Sequence, residues 1–393
     1  MNKHVLVVIL AAAIVLVSPA AAFWAADSDA DSAYSGDTAS YYYSQLNDSE
    51  KKIYEAMEDL KSASGNGYDE SSGKFTVTVS GVSYSSEDQA YTAVLTAANA
   101  TQLDDPYAFW VWGVNAGYQS TTGSTIEITS TSSLTFTINA LSDYTLTALS
   151  SASGTTYSSY SDVITAIEAR VTEISDGFGF SSSDTTLTKI EKINSHLTSA
   201  SIYRYDPNVD KDNEWAYDHT VVGAFLIKNT DENRYVVVCD GYSNAFTLLA
   251  RASGISVINV IGLGAQSSDN GYHAWNEVII DGSEVYGVDI TFDSTGDDKK
   301  AYLCCGAYDK VDGATFSQSH QPFAFYSDYN TAYYPFYALQ LSDSGYTWPA
   351  EDSLADTIMN IAPWIVMGLI CLILVYVLIT IAKKGERNGR KKQ

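Results

Sequence analysis

Cysteine and histidine are both scarce in this chain of 393 residues, which has 4 of the first and 5 of the second. Cys371 lies in an apolar segment near the C-terminus, and Cys304 and Cys305 are adjacent in the sequence. A disulfide between neighbouring cysteines would close a strained small ring. The sequence therefore excludes a fold held together by a framework of disulfides, as small secreted domains often have.

Positive charge is also scarce, because 22 Lys and Arg residues stand against 47 Asp and Glu residues. A formal net charge of −25 excludes binding to nucleic acid through its phosphates. No Asp/Asn/Gly loop has the spacing of a calcium loop, so the acidity indicates a solubilising surface rather than a cation site. The sequence contains no internal repeat.

Two apolar segments lie near the ends of the chain. The first follows Lys3 and runs into the small residues Ser18 to Ala22, which is the order of a secretory signal, here residues 1–22. Residues 23–44, rich in Asp, Ser, Ala and Tyr, are predicted to be a flexible spacer.

The second apolar segment predicts a transmembrane helix over residues 357–382. It carries no charge from Ile358 to Ala382, which at about 1.5 Å per residue is enough to cross a hydrocarbon core of ~30 Å. Lysines and arginines crowd residues 383–393, and such a cluster is typical of a cytoplasmic tail. We therefore expect a single-pass protein of the cell membrane with the bulk of the chain extracellular.

The residues between these segments predict two subdomains. In the first, 45–150, Asn47 and Glu50 have the spacing of a helix capping box, and alternating apolar residues predict strands at 74–82 and within 119–138. In the second, 151–345, apolar residues at helical spacing predict two amphipathic helices before residue 200.

Cys239 is predicted to lie where a strand gives way to a helix. The apolar run 235–238 ends at Cys239, and residues 240–253 have helical periodicity with Gly254 at the stop. Backbone N–H groups at a helix N-terminus favour negative charge on the sulfur and can hold an oxyanion. A structural cysteine at a strand end is the alternative interpretation.

His273 and Asp289 are predicted to be neighbours on one face of a hairpin. The strands are 273–280 and 284–292, with the turn signal Asp281-Gly282 between them. A three-residue connection places Ile280 opposite Glu284, which makes Asp289 a diagonal neighbour of His273. A two-residue connection would put the two side chains on opposite faces.

A thiol, an imidazole and a carboxylate together meet the needs of a cysteine nucleophile, because the imidazole takes the thiol proton and the carboxylate orients the imidazole. Taken singly, His273 could be a hydrogen-bonded core histidine and Asp289 a capping residue. No second Cys or His stands at zinc-ligand spacing, so we expect no metal and no cofactor. His196, His219 and His320 are expected to be structural or exposed.

The segments Cys-Asp-Gly-Tyr-Ser from residue 239, His-Ala-Trp-Asn-Glu-Val from 273 and Tyr-Gly-Val-Asp-Ile-Thr-Phe-Asp from 286 resemble the core motifs of the transglutaminase-like superfamily. The resemblance implies a papain-like α+β fold in which the helix bearing Cys239 packs on an antiparallel sheet bearing His273 and Asp289. It implies that Cys239 is the nucleophile, His273 the base and Asp289 the residue that orients the base.

This chain departs from the family pattern at two places. Tyr286-Gly287 replaces the usual bulky aromatic pair, and Phe292 stands where Trp is common. Neither change removes a member of the catalytic set. Asn233 is the candidate for a side-chain oxyanion donor upstream of Cys239.

The expected function is that of a membrane-anchored thiol hydrolase or acyltransferase. It would act on peptide, isopeptide or glutamine amide bonds of proteins or cell-surface polymers through a thioester, with hydrolysis favoured over cross-linking. Two alternatives stay open: a non-catalytic surface or adhesion module on the same fold, and a chain that bonds covalently to a partner through Cys239. The sequence does not indicate an oligomeric state.

Overall fold

Helices and strands alternate through the middle of the chain in a computed structural model. It describes residues 38–62, 68–69, 73–111, 124–140, 142–205, 216–228, 233–266, 269–323 and 335–347. The described residues up to Gly345 belong to one compact unit.

The α-helices among these residues are α1 (Tyr41–Gln45), α2 (Asp48–Ser62), α3 (Glu87–Asp104), α4 (Leu146–Ser153), α5 (Tyr160–Gly177), α6 (Thr186–Ala200), α7 (Val221–Phe225), α8 (Cys239–Ala252), α9 (Ile290–Thr295) and α10 (Phe316–Ser319). The strands are β1 (Tyr68–Asp69), β2 (Lys74–Thr78), β3 (Thr125–Ser130), β4 (Thr135–Asn139), β5 (Ser201–Tyr203), β6 (Tyr235–Val237), β7 (Ser256–Gln266), β8 (Asp269–Ile280), β9 (Glu284–Val288), β10 (Leu303–Cys305), β11 (Lys310–Val311), β12 (Ala314–Thr315) and β13 (His320–Pro322).

The end of the predicted spacer is structured, which corrects the expectation of a flexible segment over 23–44. Residues 38–45 form a 3₁₀ turn and α1, and Tyr41 and Tyr42 are buried there. The hydroxyl of Tyr42 donates a hydrogen bond to the backbone oxygen of Asn259 on β7. Burying large aromatic rings stabilises a segment that composition alone suggests is disordered. Residues 23–37 of the predicted spacer lie outside the described part of the chain.

The described residues between 45 and 150 form helices and an antiparallel sheet. The capping box at the start of α2 is present: Oδ1 of Asn47 accepts from the backbone of Glu50 at 3.0 Å, and the carboxylate of Glu50 accepts from the backbone of Asn47 at 3.0 Å. Strands β1, β2, β4 and β3 form an antiparallel sheet in that order. The strand predicted at 74–82 ends earlier, at Thr78.

A second sheet of five strands, in the order β10-β9-β8-β7-β13, carries helix α8 on one face. The helix is almost wholly buried, because β7 and β8 cover one side of it while α5, α6 and α7 pack against the others. A helix covered on all sides is typical of the centre of a globular core. The periodicity predicts this helix to within one residue, since it ends at Ala252 and Gly254 follows with a φ of +75°.

The connection between β8 and β9 has the predicted length, with Ile280 opposite Glu284 across residues 281–283. The predicted strand 284–292 is too long, however, because β9 ends at Val288 and α9 begins at Ile290. Asp289 is the N-cap of α9, and its side chain accepts a hydrogen bond from the backbone of Phe292 at 3.0 Å. Aspartate is a strongly preferred N-cap residue, and here that preference ends the strand.

No helix within the described ranges is long and apolar enough to cross a membrane. The predicted signal segment 1–22 and the predicted transmembrane helix 357–382 lie outside the described residues, as does the tail 383–393. The division into subdomains at 150/151 stays a prediction; that position lies inside α4, within the one compact unit.

Candidate active site

Cys239 is the first residue of the buried helix α8. The N-cap residue is Val238, whose side chain makes no capping hydrogen bond. No N-cap side chain therefore competes with a substrate for the N–H groups of the first turn. Cys239 is partly exposed, whereas Cys304 and Cys305 are buried, and all three are free thiols. Burial also raises the pKa values of Cys304 and Cys305, so among the described cysteines Cys239 is the one with a thiol open to solvent.

His273 and Asp289, which the sequence predicts to be neighbours, are joined by a hydrogen bond. The distance from Nε2 of His273 to Oδ2 of Asp289 is 2.6 Å, and both side chains are buried. Gly264 on the adjacent strand β7 makes room for the imidazole, because a Cβ there would lie 2.5 Å from Cγ of His273. Since Nε2 faces Asp289, the other ring nitrogen, Nδ1, is left for the thiol of Cys239.

The two side chains stabilise each other's charged forms. Burial lowers the pKa of His273, but the charge and hydrogen bond of Asp289 outweigh it and, with a contribution from the nearby Cys239, raise the pKa to about 10. Burial raises the pKa of Asp289, but His273 and His320 outweigh it and hold the pKa well below its usual range. The arrangement therefore favours an imidazolium beside an ionised carboxylate, within reach of a thiol.

Phe292 takes a defined place against the imidazole, although it stands where the resemblance leads one to expect Trp. Its ring stacks on that of His273 with centroids 4.4 Å apart and an interplanar angle of 14°. Helix α9, capped by Asp289, brings this ring into position. The substitution thus keeps a flat apolar cover over the histidine.

His320 is one of the residues near this site that the sequence does not single out. The sequence leads us to expect a structural or exposed side chain, and the structure shows a buried imidazole whose Nε2 lies 2.9 Å from Oδ2 of Asp289. His320 is separated from Asp289 by 31 residues and belongs to the edge strand β13. No local pattern in the sequence signals this contact.

His273, Asp289 and His320 are also a set that could hold a metal ion, since one ligand atom of each lies within 4.8 Å of the others. Both Nε2 atoms, however, face the same carboxylate oxygen at 2.6 and 2.9 Å, which are hydrogen-bond distances. Ligands held about 2.0–2.1 Å from a tetrahedral zinc ion are separated by roughly 3.3 Å. The arrangement fits two imidazole donors on one carboxylate better than a metal centre.

A second group of charged side chains lies beside the sulfur. Sγ of Cys239 is 3.8 Å from Oδ1 of Asp240. The carboxylate of Asp240 is also hydrogen-bonded to Nδ1 of His219, which lies 2.8 Å from both of its oxygens. Asp218, which is fully buried, pairs with Arg204. Burial lowers the pKa of His219, but Asp240 outweighs it and raises the pKa. His219, which we also expected to be structural or exposed, is thus half-exposed and tied to the residue that follows the candidate nucleophile.

Tyr203 lies on the strand next to the one that leads into Cys239. Strand β5 runs parallel to β6 and places Tyr203 opposite Val237, two positions before Cys239. Burial raises the pKa of Tyr203, and a charge on Cys239 raises it further. Asn233, the candidate for a side-chain oxyanion donor, is exposed just before β6 with a φ of 51°, and that role stays a prediction.

Comparison with known proteins identifies residues 177–290 as a match to the model of the transglutaminase-like superfamily. That range includes Cys239, His273 and Asp289 and ends before His320. A solved structure described as "Crystal structure of a TGase" matches with 16% sequence identity and a TM-score of 0.24, over 43% of this chain and 45% of that chain. No curated protein matches.

Proposed function

We propose that this chain, which carries a transglutaminase-like superfamily domain at residues 177–290, is a thiol enzyme that cleaves or transfers amide bonds through Cys239, His273 and Asp289. The observation that carries the proposal is the 2.6 Å hydrogen bond between His273 and Asp289, next to a cysteine at a helix N-terminus. A nucleophile, a base and a group that orients the base are the minimum for covalent acyl transfer.

The first half-reaction forms a thioester. The sulfur of Cys239, having given its proton to His273, attacks the carbonyl carbon of a carboxamide or peptide bond. The resulting oxyanion lies near the backbone N–H groups at the start of α8. The imidazolium of His273 then donates its proton to the leaving nitrogen, so ammonia or an amine departs and the acyl group stays on sulfur.

The second half-reaction releases the acyl group. Water or a primary amine gives a proton to His273 as it attacks the thioester, and Cys239 leaves as the thiolate. We propose that water is the usual acceptor and that the acyl donor is a peptide or protein amide, including isopeptide and glutamine side-chain amides. Asp289 keeps one edge of His273 fixed in both half-reactions and stabilises its charge.

The experiment that tests this proposal measures three products separately. The chain from residue 38 to 347 is incubated with glutamine-containing peptides and a primary amine, and ammonia, incorporated amine and cleaved peptide are quantified. We expect ammonia or cleaved peptide to form, and both to disappear with Cys239→Ala and with His273→Ala. If all three products are absent, or if Cys239→Ala changes nothing, the enzyme proposal fails and the non-catalytic surface module takes its place.

We further propose that the chain acts at the outer face of a cell membrane, anchored by residues 357–382. The support is the uncharged segment from Ile358 to Ala382 and the basic residues that follow it. The full chain should stay with membranes through an alkaline wash, and a chain ending at residue 356 should not. Release of the full chain by that wash would contradict anchoring.

A further inference from the structure

Asp289 is shared by two histidines. His273 and His320 approach the same oxygen, Oδ2, at 2.6 and 2.9 Å, while the backbone N–H of Phe292 donates to Oδ1 at 3.0 Å. The carboxylate therefore has three donors and almost no exposure to solvent. A carboxylate that only oriented His273 would not need the second imidazole.

Ring stacking and strand pairing hold His320 in place. Its ring stacks on that of Phe316 with centroids 3.8 Å apart and an interplanar angle of 5°. On the sheet, His320 pairs with Gly264, the residue whose missing side chain also makes room for His273. Gly264 thus lets the two imidazoles converge on one carboxylate from strands that are not adjacent.

The contacts of His320 show which ring nitrogen donates to Asp289. Nδ1 lies 2.9 Å from the hydroxyl of Ser319 and 3.2 Å from the carbonyl oxygen of Phe316. Burial lowers the pKa of His320, opposed in part by the charge and hydrogen bond of Asp289 and by the carbonyl oxygen of Phe316. Because the ionised Asp289 can only accept, Nε2 carries an N–H. The hydroxyl of Ser319 lies within hydrogen-bond distance of Nδ1, and it also lies 3.1 Å from the carbonyl oxygen of Phe316 and 3.3 Å from that of Thr315.

We propose that His320, with Ser319 behind it, is a positioning residue that fixes Oδ2 of Asp289 against His273 and takes part of its negative charge. The proposal rests on the proposed function of Cys239, His273 and Asp289 and deepens it. Without His320, Oδ2 of Asp289 would keep its hydrogen bond from His273 and lose the one from His320. The imidazolium would then hold its proton more tightly, and Asp289 would lose one of the three donors that fix its orientation.

Other titratable groups face this cluster and are constant across the variants of the test. Asp289 contributes to the raised pKa of Tyr203 on β5, Tyr302 before β10, Cys305 on β10 and Asp293 on α9. Burial keeps the tyrosines and Cys305 neutral near pH 7. Cys239 faces His273 from α8 and changes charge during the reaction.

The test compares His320→Leu, which removes the donor at similar volume, with His320→Gln, which keeps an N–H at the position of Nε2. For each, kcat and KM are measured with the substrate found for the wild type, and alkylation of Cys239 by iodoacetamide is followed from pH 5 to 11. We expect His320→Leu to lower kcat about tenfold with KM within about twofold of wild type. The alkaline edge of the alkylation profile is the change in rate at high pH that follows loss of the proton from His273. We expect this edge to move up by about 0.5 pH unit or more in His320→Leu, because His273 keeps its proton to a higher pH. His320→Gln should restore most of both values.

Ser319→Ala provides a variant with little risk to the fold. Without the hydroxyl, Nδ1 loses the partner that lies 2.9 Å away, so the ring of His320 is held less firmly against Asp289. This variant should shift kcat and the alkaline edge in the same direction as His320→Leu but by less. If His320→Leu does not fold, Ser319→Ala takes its place in the comparison with His320→Gln.

The possible results distinguish a failure of the role of His320 from a failure of the proposed function on which that role rests. A lower kcat with an unchanged alkaline edge, or a glutamine variant no better than leucine, would mean that His320 only supports the fold, and the inference would be overturned. If the wild type has no amide-bond activity, the proposed function fails, while the alkylation profiles still decide the role of His320.

Discussion

Outside the proposed catalytic set of Cys239, His273 and Asp289, Tyr203 is a residue whose position bears on the proposed first chemical step. The parallel pairing of β5 with β6 places Tyr203 opposite Val237, two positions before Cys239, and its pKa responds to charge on that sulfur. A phenol that stays protonated is a hydrogen-bond donor for an oxyanion that forms next to the sulfur. The sequence did not single out this tyrosine, since it is one of 29 and the pairing that places it joins strands far apart in the chain.

We expect Tyr203→Phe to lower kcat about 100-fold with little change in KM, which is the cost of losing one donor to an oxyanion. Steady-state kinetics with the wild-type substrate measures both values. Tyr205→Phe is the matched control, because Tyr205 is 62% exposed and its ring lies 5.6 Å from that of Tyr203. Equal effects of the two substitutions would argue that the tyrosines act through packing or substrate affinity.

At the scale of elements, the departure of this chain at Tyr286-Gly287 has a packing explanation. A Cβ on Gly287 would lie 2.2 Å from the ring of Phe316, so the ring of α10 fills the space above β9 that a side chain would take. Phe316 in turn stacks on His320. The glycine on β9 therefore allows α10 and β13 to approach the site.

Gly287→Ala should displace Phe316 and lower the free energy of unfolding by about 1–3 kcal/mol, the usual cost of overpacking a core. Chemical denaturation measures this, and kcat should fall with it because His320 loses its stacking partner. Gly271→Ala on β8 is the control, since no atom lies within 4 Å of the Cβ it would add. A Gly287→Ala protein as stable and as active as the Gly271→Ala protein would contradict this account of the packing.

The elements also show which parts of the site the sequence could predict. Helix α8 and the connection at 281–283 follow from local signals, namely apolar periodicity, a glycine stop and the parity of a hairpin. The predicted end of β9 was wrong, because Asp289 caps helix α9 instead of continuing the strand. The β-branched residues of this run favour a strand and hide the preference of Asp289 for a capping position. His320 could not be predicted, because its link to Asp289 depends on β13 pairing with β7, for which nearby residues give no sign.

At the scale of the whole molecule, several carboxyl groups are buried within a strongly acidic chain. Glu277 is 2% exposed, and its carboxylate accepts from the backbone of Leu339 at 2.8 Å, which ties the segment 335–347 to β8. Burial raises the pKa of Glu277 to about 8, opposed in part by that hydrogen bond. Burial likewise raises the pKa of Asp104 to about 7 and that of Asp293 to about 8.

These groups make the folded state less stable as the pH rises. Between the ordinary pKa of a carboxyl group, 4.5 for Glu277, and about 8, the folded state keeps a proton that the unfolded state has released. The unfolded state therefore binds fewer protons, and the free energy of unfolding falls with increasing pH in this window. The contribution of Glu277 is fully present below about pH 4.5 and is lost as the pH passes through 8.

Glu277→Gln should make stability less dependent on pH, because the amide needs no proton to stay neutral and its oxygen can still accept from Leu339. We expect the melting temperature of the variant to exceed that of wild type by about 5 °C at pH 8.5, and the two to differ little at pH 5. Glu127→Gln, on the exposed side of β3, should leave the wild-type profile unchanged. Part of the decline between pH 5 and 8 should persist in Glu277→Gln, since Asp104 and Asp293 still release their protons there. Parallel melting profiles for wild type and Glu277→Gln would show that Glu277 is not the buried acid that couples proton release to unfolding.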